Sequence, residues 1–261
     1  MRSLSIAATG MLAQQLNVEV ISNNIANVNT TGFKRQRPEF NDLLYQSLRP
    51  VGTTSSETGT IVPSGIELGL GVKTGAIYRI AEQGNLISTD NKLDVAIQGN
   101  GYFQIEQPSG VTAYSRAGSF QLSPNGEIVT EDGFRVLPTV TIPRNAISVT
   151  INPNGQVFVK LDGQVAEQNV GTIQLANFAN PAGLQAQGDN LFTETAASGP
   201  ATTGQPGATG FGTLAQGFLE TSNVNVVEEI TNLITAQRAY EMNSKVIQAS
   251  DEMMGQLNQL R

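Results

Sequence analysis

Between Leu4 and Val28, apolar and small residues return every three or four positions: Leu4, Ala7, Met11, Val18, Ile21, Ile25 and Val28, with Gln14 completing the row. That period places them on one face of an amphipathic helix about 35 Å long, at about 1.5 Å rise per residue. Gly10 inside the row costs about 1 kcal/mol relative to alanine, which makes sense where another backbone comes close. The helix is expected to end near Asn29-Thr30-Thr31-Gly32, with Gly32 taking the positive φ of a C-terminal cap or tight turn.

A second row closes the chain. Leu233, Ala236, Tyr240, Asn243, Ile247, Ser250, Met254 and Leu257 alternate spacings of three and four, and Ala239, Val246, Met253 and Leu260 form a stripe beside them. Two stripes give this helix room for more than one neighbour. Asn225 is placed to cap its first turn, with Glu228 three residues on able to reach back, and the helix would run about 50 Å. Polar Asn243 and Ser250 within the seam either set a register or face a solvated lumen.

Between roughly Gly71 and Leu219 the period changes to short β-rich runs. Val95-Ala96-Ile97, Tyr102-Phe103-Gln104-Ile105, Gln156-Val157-Phe158-Val159 and Thr172-Ile173-Gln174-Leu175 are predicted strands. Asn125-Gly126, Asp132-Gly133, Asn154-Gly155 and Asp162-Gly163 accept the backbone geometry of tight reversals and predict hairpins. Residues 49–71 read as a long loop or loose hairpin and 196–213 as a low-complexity surface loop.

The expected fold class is therefore α+β: paired N- and C-terminal coiled-coil-like helices with an inserted antiparallel β domain. The expected division is 1–30 for the first helix, 31–93 for an extended connector carrying the 49–71 loop, 94–213 for the β domain, 214–224 for a return connector and 225–261 for the second helix. Periodicity alone admits two packings. Either the helices pair and meet neighbouring copies, or they fold back as a hairpin over their own sheet.

Composition narrows the chemistry. The 261 residues contain no His, Cys or Trp, which removes Ser-His-Asp and Cys-His nucleophile systems, imidazole or thiolate metal sites and disulfides. Net charge is −7 with only 14% charged residues and no basic block, a poor match to a phosphate backbone, so no nucleic-acid partner is expected. No apolar run reaches the roughly 20 residues of a membrane span, and the N-terminus does not read as a cleavable signal, so no direct membrane insertion is expected.

Individual motifs offer little chemistry. Gly99-Asn100-Gly101 precedes a strand rather than opening a helix and reads as a turn or bulge. The acidic pairs Glu131-Asp132, Glu228-Glu229 and Asp251-Glu252 read as solvated faces or helix-start charges, and Lys34, Lys73, Lys92, Lys160 and Lys245 lack any local Ser-Lys signature. No catalytic residue, cofactor or metal ligand is predicted.

Three runs carry a resemblance: Ser22-Asn23-Asn24-Ile25-Ala26-Asn27-Val28-Asn29-Thr30-Thr31-Gly32-Phe33-Lys34; Asp94 through Phe103 with Tyr114-Ser115-Arg116-Ala117-Gly118-Ser119-Phe120; and Glu220 through Glu229 with Gln237-Arg238-Ala239-Tyr240-Glu241. In that order they resemble the signatures of the flagellar rod and hook family. The chain length, with Asp42-Leu43-Leu44-Tyr45-Gln46 leading into the loop and Gly65-Ile66-Glu67-Leu68-Gly69-Leu70-Gly71 closing it, resembles the distal-rod branch.

The resemblance implies a homo-oligomeric helical rod crossing the periplasm, with paired helices around an export channel and the β domain toward the P and L rings. It implies proximal rod subunits, the hook or its junction, the flagellar type III export apparatus and a rod cap as partners, and export without a cleaved signal. The expected subunit-packing faces are Leu4, Met11, Val18, Ile25, Leu233, Tyr240, Ile247, Met254 and Leu257, and the expected rod-straightening loop contains Gly52, Thr60, Ile61 and Pro63.

Overall fold

The computed structural model describes residues 2–50, 64–164 and 166–259. Among them the chain is α+β: helix α1 (Arg2–Ala26), a series of short antiparallel strands, and helix α2 (Val226–Gln259). It divides into two compact units. The first comprises Met1–Ile25, Gln36–Tyr78 and Asn225–Arg261, and the second Ala26–Arg35 and Arg79–Val224.

In the first unit both helices end for visible reasons. α1 stops at Ala26, before the Asn29-to-Gly32 turn. At the start of α2 the Asn225 side chain accepts hydrogen bonds from the amides of Val227 (3.1 Å) and Glu228 (3.4 Å), two donors that lack an intrahelical partner. Glu228 and Glu229 add negative charge at the positive end of the helix dipole. Strand Gln36–Asp42 pairs with Val72–Arg79, and Tyr45–Arg49 pairs with Ile66–Gly69 as a ribbon. The expected loose hairpin is thus a hairpin at its base, while Gly52, Thr60, Ile61 and Pro63 lie outside the described residues.

The second unit is built on a nine-stranded antiparallel sheet. Its main path runs Gln185–Gly188, Leu191–Thr193, Thr112–Ser115, Tyr102–Glu106, Arg135–Leu137, Ile128–Val129 and Gln121–Leu122. Leu175–Asn177 joins Tyr102–Glu106 and carries Thr202–Gly204 on its other side. A three-stranded sheet, Ala146–Ile151, Gln156–Leu161 and Gln168–Thr172, packs its apolar face toward a shared core. There Val95, Ile97, Phe103, Val157, Val159, Ile173 and Leu175 are fully buried. Phe103 and Phe120 meet edge to face at 5.0 Å, each burial stabilising the unit by roughly 1.5–3 kcal/mol.

All four expected reversals are hairpin turns with glycine at positive φ: Gly126, Gly133, Gly155 and Gly163 at +83°, +84°, +83° and +77°. Two expectations need correction. Thr172-Ile173-Gln174-Leu175 is not one strand: Thr172 ends one and Leu175 begins another, because the chain leaves the three-stranded sheet for the larger one while Ile173 bonds to Gly155. The 196–213 stretch is at the surface as expected but is not loop throughout. Thr202–Gly204 is a sheet strand, and Ser198, 1% exposed, accepts a 2.9 Å bond from the Thr195 amide. Hydrogen bonding orders it where hydrophobic pattern is lacking.

Candidate functional site

The second unit contains a carboxylate shared by two cations. Glu220 ends strand Phe218–Glu220, which pairs with Leu86–Ser88, and its side chain is fully buried. Its Oε1 lies 2.5 Å from Lys34 Nζ and accepts the Gly84 amide at 2.9 Å, while its Oε2 lies 2.5 Å from Arg116 Nε. Lys34 also donates to the Glu82 carbonyl at 2.7 Å. Arg116 donates to the carbonyls of Gly101 (2.6 Å), Gly99 (2.6 Å) and Ile97 (3.0 Å). The Gly99-Asn100-Gly101 run, with φ of +107° and +141° at its glycines, turns those carbonyls onto the guanidinium.

One anion between two buried cations leaves a net positive centre. Burial pushes the Glu220 carboxyl upward, but Arg116 and Lys34 outweigh it and hold the group below the usual carboxylate range. Burial pulls the Lys34 ammonium below the usual lysine range; Glu220 opposes that shift and Arg116 adds to it. The buried Lys34 ammonium is engaged by two acceptors and ties them together.

The surrounding backbone is tied to the same place. The Gly32 amide bonds to the Glu220 carbonyl at 2.8 Å. At Gly32, φ is +69° and an added Cβ would lie 2.9 Å from backbone atoms of Arg116 and Ala117, so glycine is required there. Asn223 accepts from the Arg35 amide at 2.7 Å and donates to the carbonyls of Ile80 (3.1 Å) and Glu82 (3.0 Å). Segments distant in sequence are therefore joined just before α2 begins.

In the first unit, α1 and α2 meet antiparallel through small and polar residues. Ser3 accepts from Ser250 at 3.2 Å, Gly10 lies under Asn243, and Asn24 Nδ2 donates to Glu229 at 3.2 Å. These positions advance in multiples of seven along α1 and retreat by the same steps along α2, as coiled-coil contacts do. A Cβ on Gly10 would come within 2.8 Å of the Asn243 amide nitrogen, so the close approach expected there comes from a side chain, not a backbone. Asn24, 1% exposed, also exchanges two bonds with Gln36: its Oδ1 accepts from the amide (2.8 Å) and its Nδ2 donates to the carbonyl (2.9 Å).

The expected packing positions are placed as follows. Leu4, Met11, Val18 and Ile25 on α1, and Leu233, Ile247 and Met254 on α2, are half-buried; Tyr240 is 44% exposed, and the Leu257 side chain lies outside the described residues. The deepest α1 positions are Ala7, Ala13, Val20, Ile21 and Asn24. Val227, Ile230, Ile234, Met242, Val246 and Met253 remain exposed along α2. Sequence reasoning missed the Lys34–Glu220–Arg116 cluster. Its signal was available, since Lys34 closes the first signature run, Arg116 lies in the second and Glu220 opens the third.

Two terminal helices pair in one unit, and the segments of the β unit are tied together at a buried ion cluster, an architecture built for structural support. Models of the flagellar families match in order: "Flagella basal body rod protein" over residues 4–34, "Flagellar hook protein FlgE/F/G D1 domain" over 96–159 and "Flagellar basal body rod FlgEFG protein C-terminal" over 215–260. The flagellar basal-body rod protein FlgG of Caulobacter vibrioides is 62% identical over 261 residues, covering 100% of both chains. That of Agrobacterium fabrum is 55% identical over 97% of each chain, and that of Bacillus subtilis 41% identical over 100% of this chain and 99% of its own. The chain belongs to the flagellar basal-body rod protein family. It is a structural component of the basal body that assembles with other flagellar components, and no helix among its described residues is long and apolar enough to cross a membrane.

Proposed function

We infer that this chain polymerises into the distal rod, a straight hollow shaft that encloses the export channel and transmits torque, without catalysing a reaction. The observation that carries this reading is the exposed apolar face of α2. Val227, Ile234, Met242 and Met253 are 74%, 53%, 61% and 58% exposed, on a helix whose other face already meets α1. Such a face gains stability only when covered, and neighbouring copies cover it in a rod.

On this reading the helical segments within 1–30 and 225–261 form the tube, and the β domain of 94–213 meets the surrounding P and L rings. Leu4, Met11, Val18, Ile25, Leu233, Tyr240, Ile247, Met254 and Leu257 serve the packing of helices within and between copies. The 49–71 segment, with Gly52, Thr60, Ile61 and Pro63, keeps the rod straight. Proximal rod subunits lie below and hook subunits above; the export apparatus delivers the chain and a cap guides its assembly.

The test is electron microscopy of purified basal bodies carrying a chain with Gly52 to Pro63 deleted. A rod that assembles at the level between the proximal rod and the hook but loses straightness supports the reading. An unchanged rod, or this chain located elsewhere, overturns it.

A further inference from the structure

The turns at the two ends of strand Ile128–Val129 differ in charge. At one end the Ser123-Pro124-Asn125-Gly126 turn borders an open groove of about 280 Å³. Leu122 and Ile147, 45% and 62% exposed, form its apolar walls, and Lys92 and Arg144 flank it. Arg144 is held there by donating to the Pro124 carbonyl at 2.8 Å. None of the groove's described lining residues is acidic, and among the described residues neither cation is in an ion pair. The nearby Glu127 is taken up by Arg135 at 3.1 Å.

At the other end, roughly 15–20 Å away at about 3.3 Å per residue, the Thr130-to-Phe134 reversal carries exposed Glu131 and Asp132 at its tip. Two backbone hydrogen bonds close this turn: the Thr130 amide bonds to the Phe134 carbonyl at 2.8 Å and the Gly133 amide to the Thr130 carbonyl at 3.0 Å. A Cβ on Gly133 would meet nothing within 4 Å. Asp189 lines the same shallow depression as Glu131 and Asp132, and no cation lines it.

A cation-flanked apolar groove at one end of a hairpin meander and an acidic tip at the other are complementary between copies. That is the arrangement of a heterologous contact, which repeats into a filament rather than closing a dimer. We propose that the Glu131-Asp132 turn of one subunit seats in the Lys92- and Arg144-flanked groove of a second copy of this chain, linking β domains head to tail. The contact rests on the rod-subunit reading above. It is separate from the exposed apolar face of α2 and adds an electrostatic joint between copies.

The absence of native cysteine makes the test clean. A chain carrying Ile147→Cys and Asp132→Cys is expressed in flagellated cells, purified basal bodies are treated with a short bismaleimide, and the products are separated on a denaturing gel. The expected result is a ladder of dimer, trimer and higher species, with each single-cysteine variant remaining monomeric. Incorporation without cross-links, or dimers alone, overturns the proposal while leaving the rod reading intact. Absence of the unsubstituted chain from basal bodies overturns the rod reading instead.

If the double-cysteine chain does not incorporate, charge reversal decides. Lys92→Glu with Arg144→Glu, and separately Glu131→Lys with Asp132→Lys, should each shrink swimming halos at least twofold with monomer melting unchanged, and all four together should restore them. No recovery, or sensitivity of the groove alone, overturns the contact between copies and leaves the groove to another acidic partner.

Discussion

Replacing Glu220 by glutamine keeps the shape of the side chain and removes the charge that Lys34 and Arg116 share. Both carboxylate oxygens are within 2.5 Å of a cation, so an amide there turns its NH2 group toward either Lys34 or Arg116. Removing one partner from a buried ion pair costs about 3–5 kcal/mol. The cluster can relieve part of that cost by deprotonating Lys34, whose ammonium form burial already disfavours. For a unit of this size, about 2–4 °C per kcal/mol predicts a melting shift of roughly 6–20 °C.

The assay is urea and thermal unfolding of the purified monomer at pH 7, followed by circular dichroism of the β signal, with the denaturant slope compared between variants. The variant should also gain stability as pH is raised above neutrality. With the folded-state pKa of Lys34 depressed, the unfolded chain binds more protons across that window, so stability rises with pH. A loss under 1 kcal/mol with no alkaline recovery would refute the claim that this carboxylate holds two buried cations.

On the acid side of the unsubstituted protein, stability likewise rises with pH. Glu220 has a folded-state pKa below its unfolded value of about 4.3, so its contribution is complete above that value and is lost as pH falls through the folded pKa; urea midpoints measured downward from pH 5 should decline, and less steeply in Glu220→Gln. Arg116→Met should destabilise more than Lys34→Met, since it removes hydrogen bonds to three backbone carbonyls, against one for Lys34, whose Glu82 acceptor keeps the Asn223 donor; equal losses would contradict this. Gly118→Ala should cost about 3 kcal/mol or more by chemical denaturation, because its Cβ would overlap the Val95 carbonyl oxygen and only a backbone shift relieves that. Asn24→Ala should cost about 1–3 kcal/mol and speed amide hydrogen exchange in strand Gln36–Asp42, an outcome excluded if the Gln36 amide stays protected.

Periodicity and turn chemistry were enough to place both helices, the Asn225 cap of α2 and the four glycine hairpins, because each depends on residues close in sequence. Spacing by threes and fours marks a helix face wherever the helix goes, and Asn-Gly or Asp-Gly favours a reversal whatever strands it joins. The α2 seam likewise named Asn243 and Ser250 as polar members, though not their partners. What lay on the far side of each contact was decided by tertiary structure alone. Glu220 lies 186 residues from Lys34 and 104 from Arg116, and a lone acid or base in a lightly charged chain looks the same exposed or sealed in a core. The strand break at Ile173 and the ordering of 196–213 arise from pairing between distant segments, which no local propensity records. Asn24 is the clearest case: by sequence it is one asparagine near a helix end, and only folding brings Gln36 and Glu229 to its amide and makes it a joint.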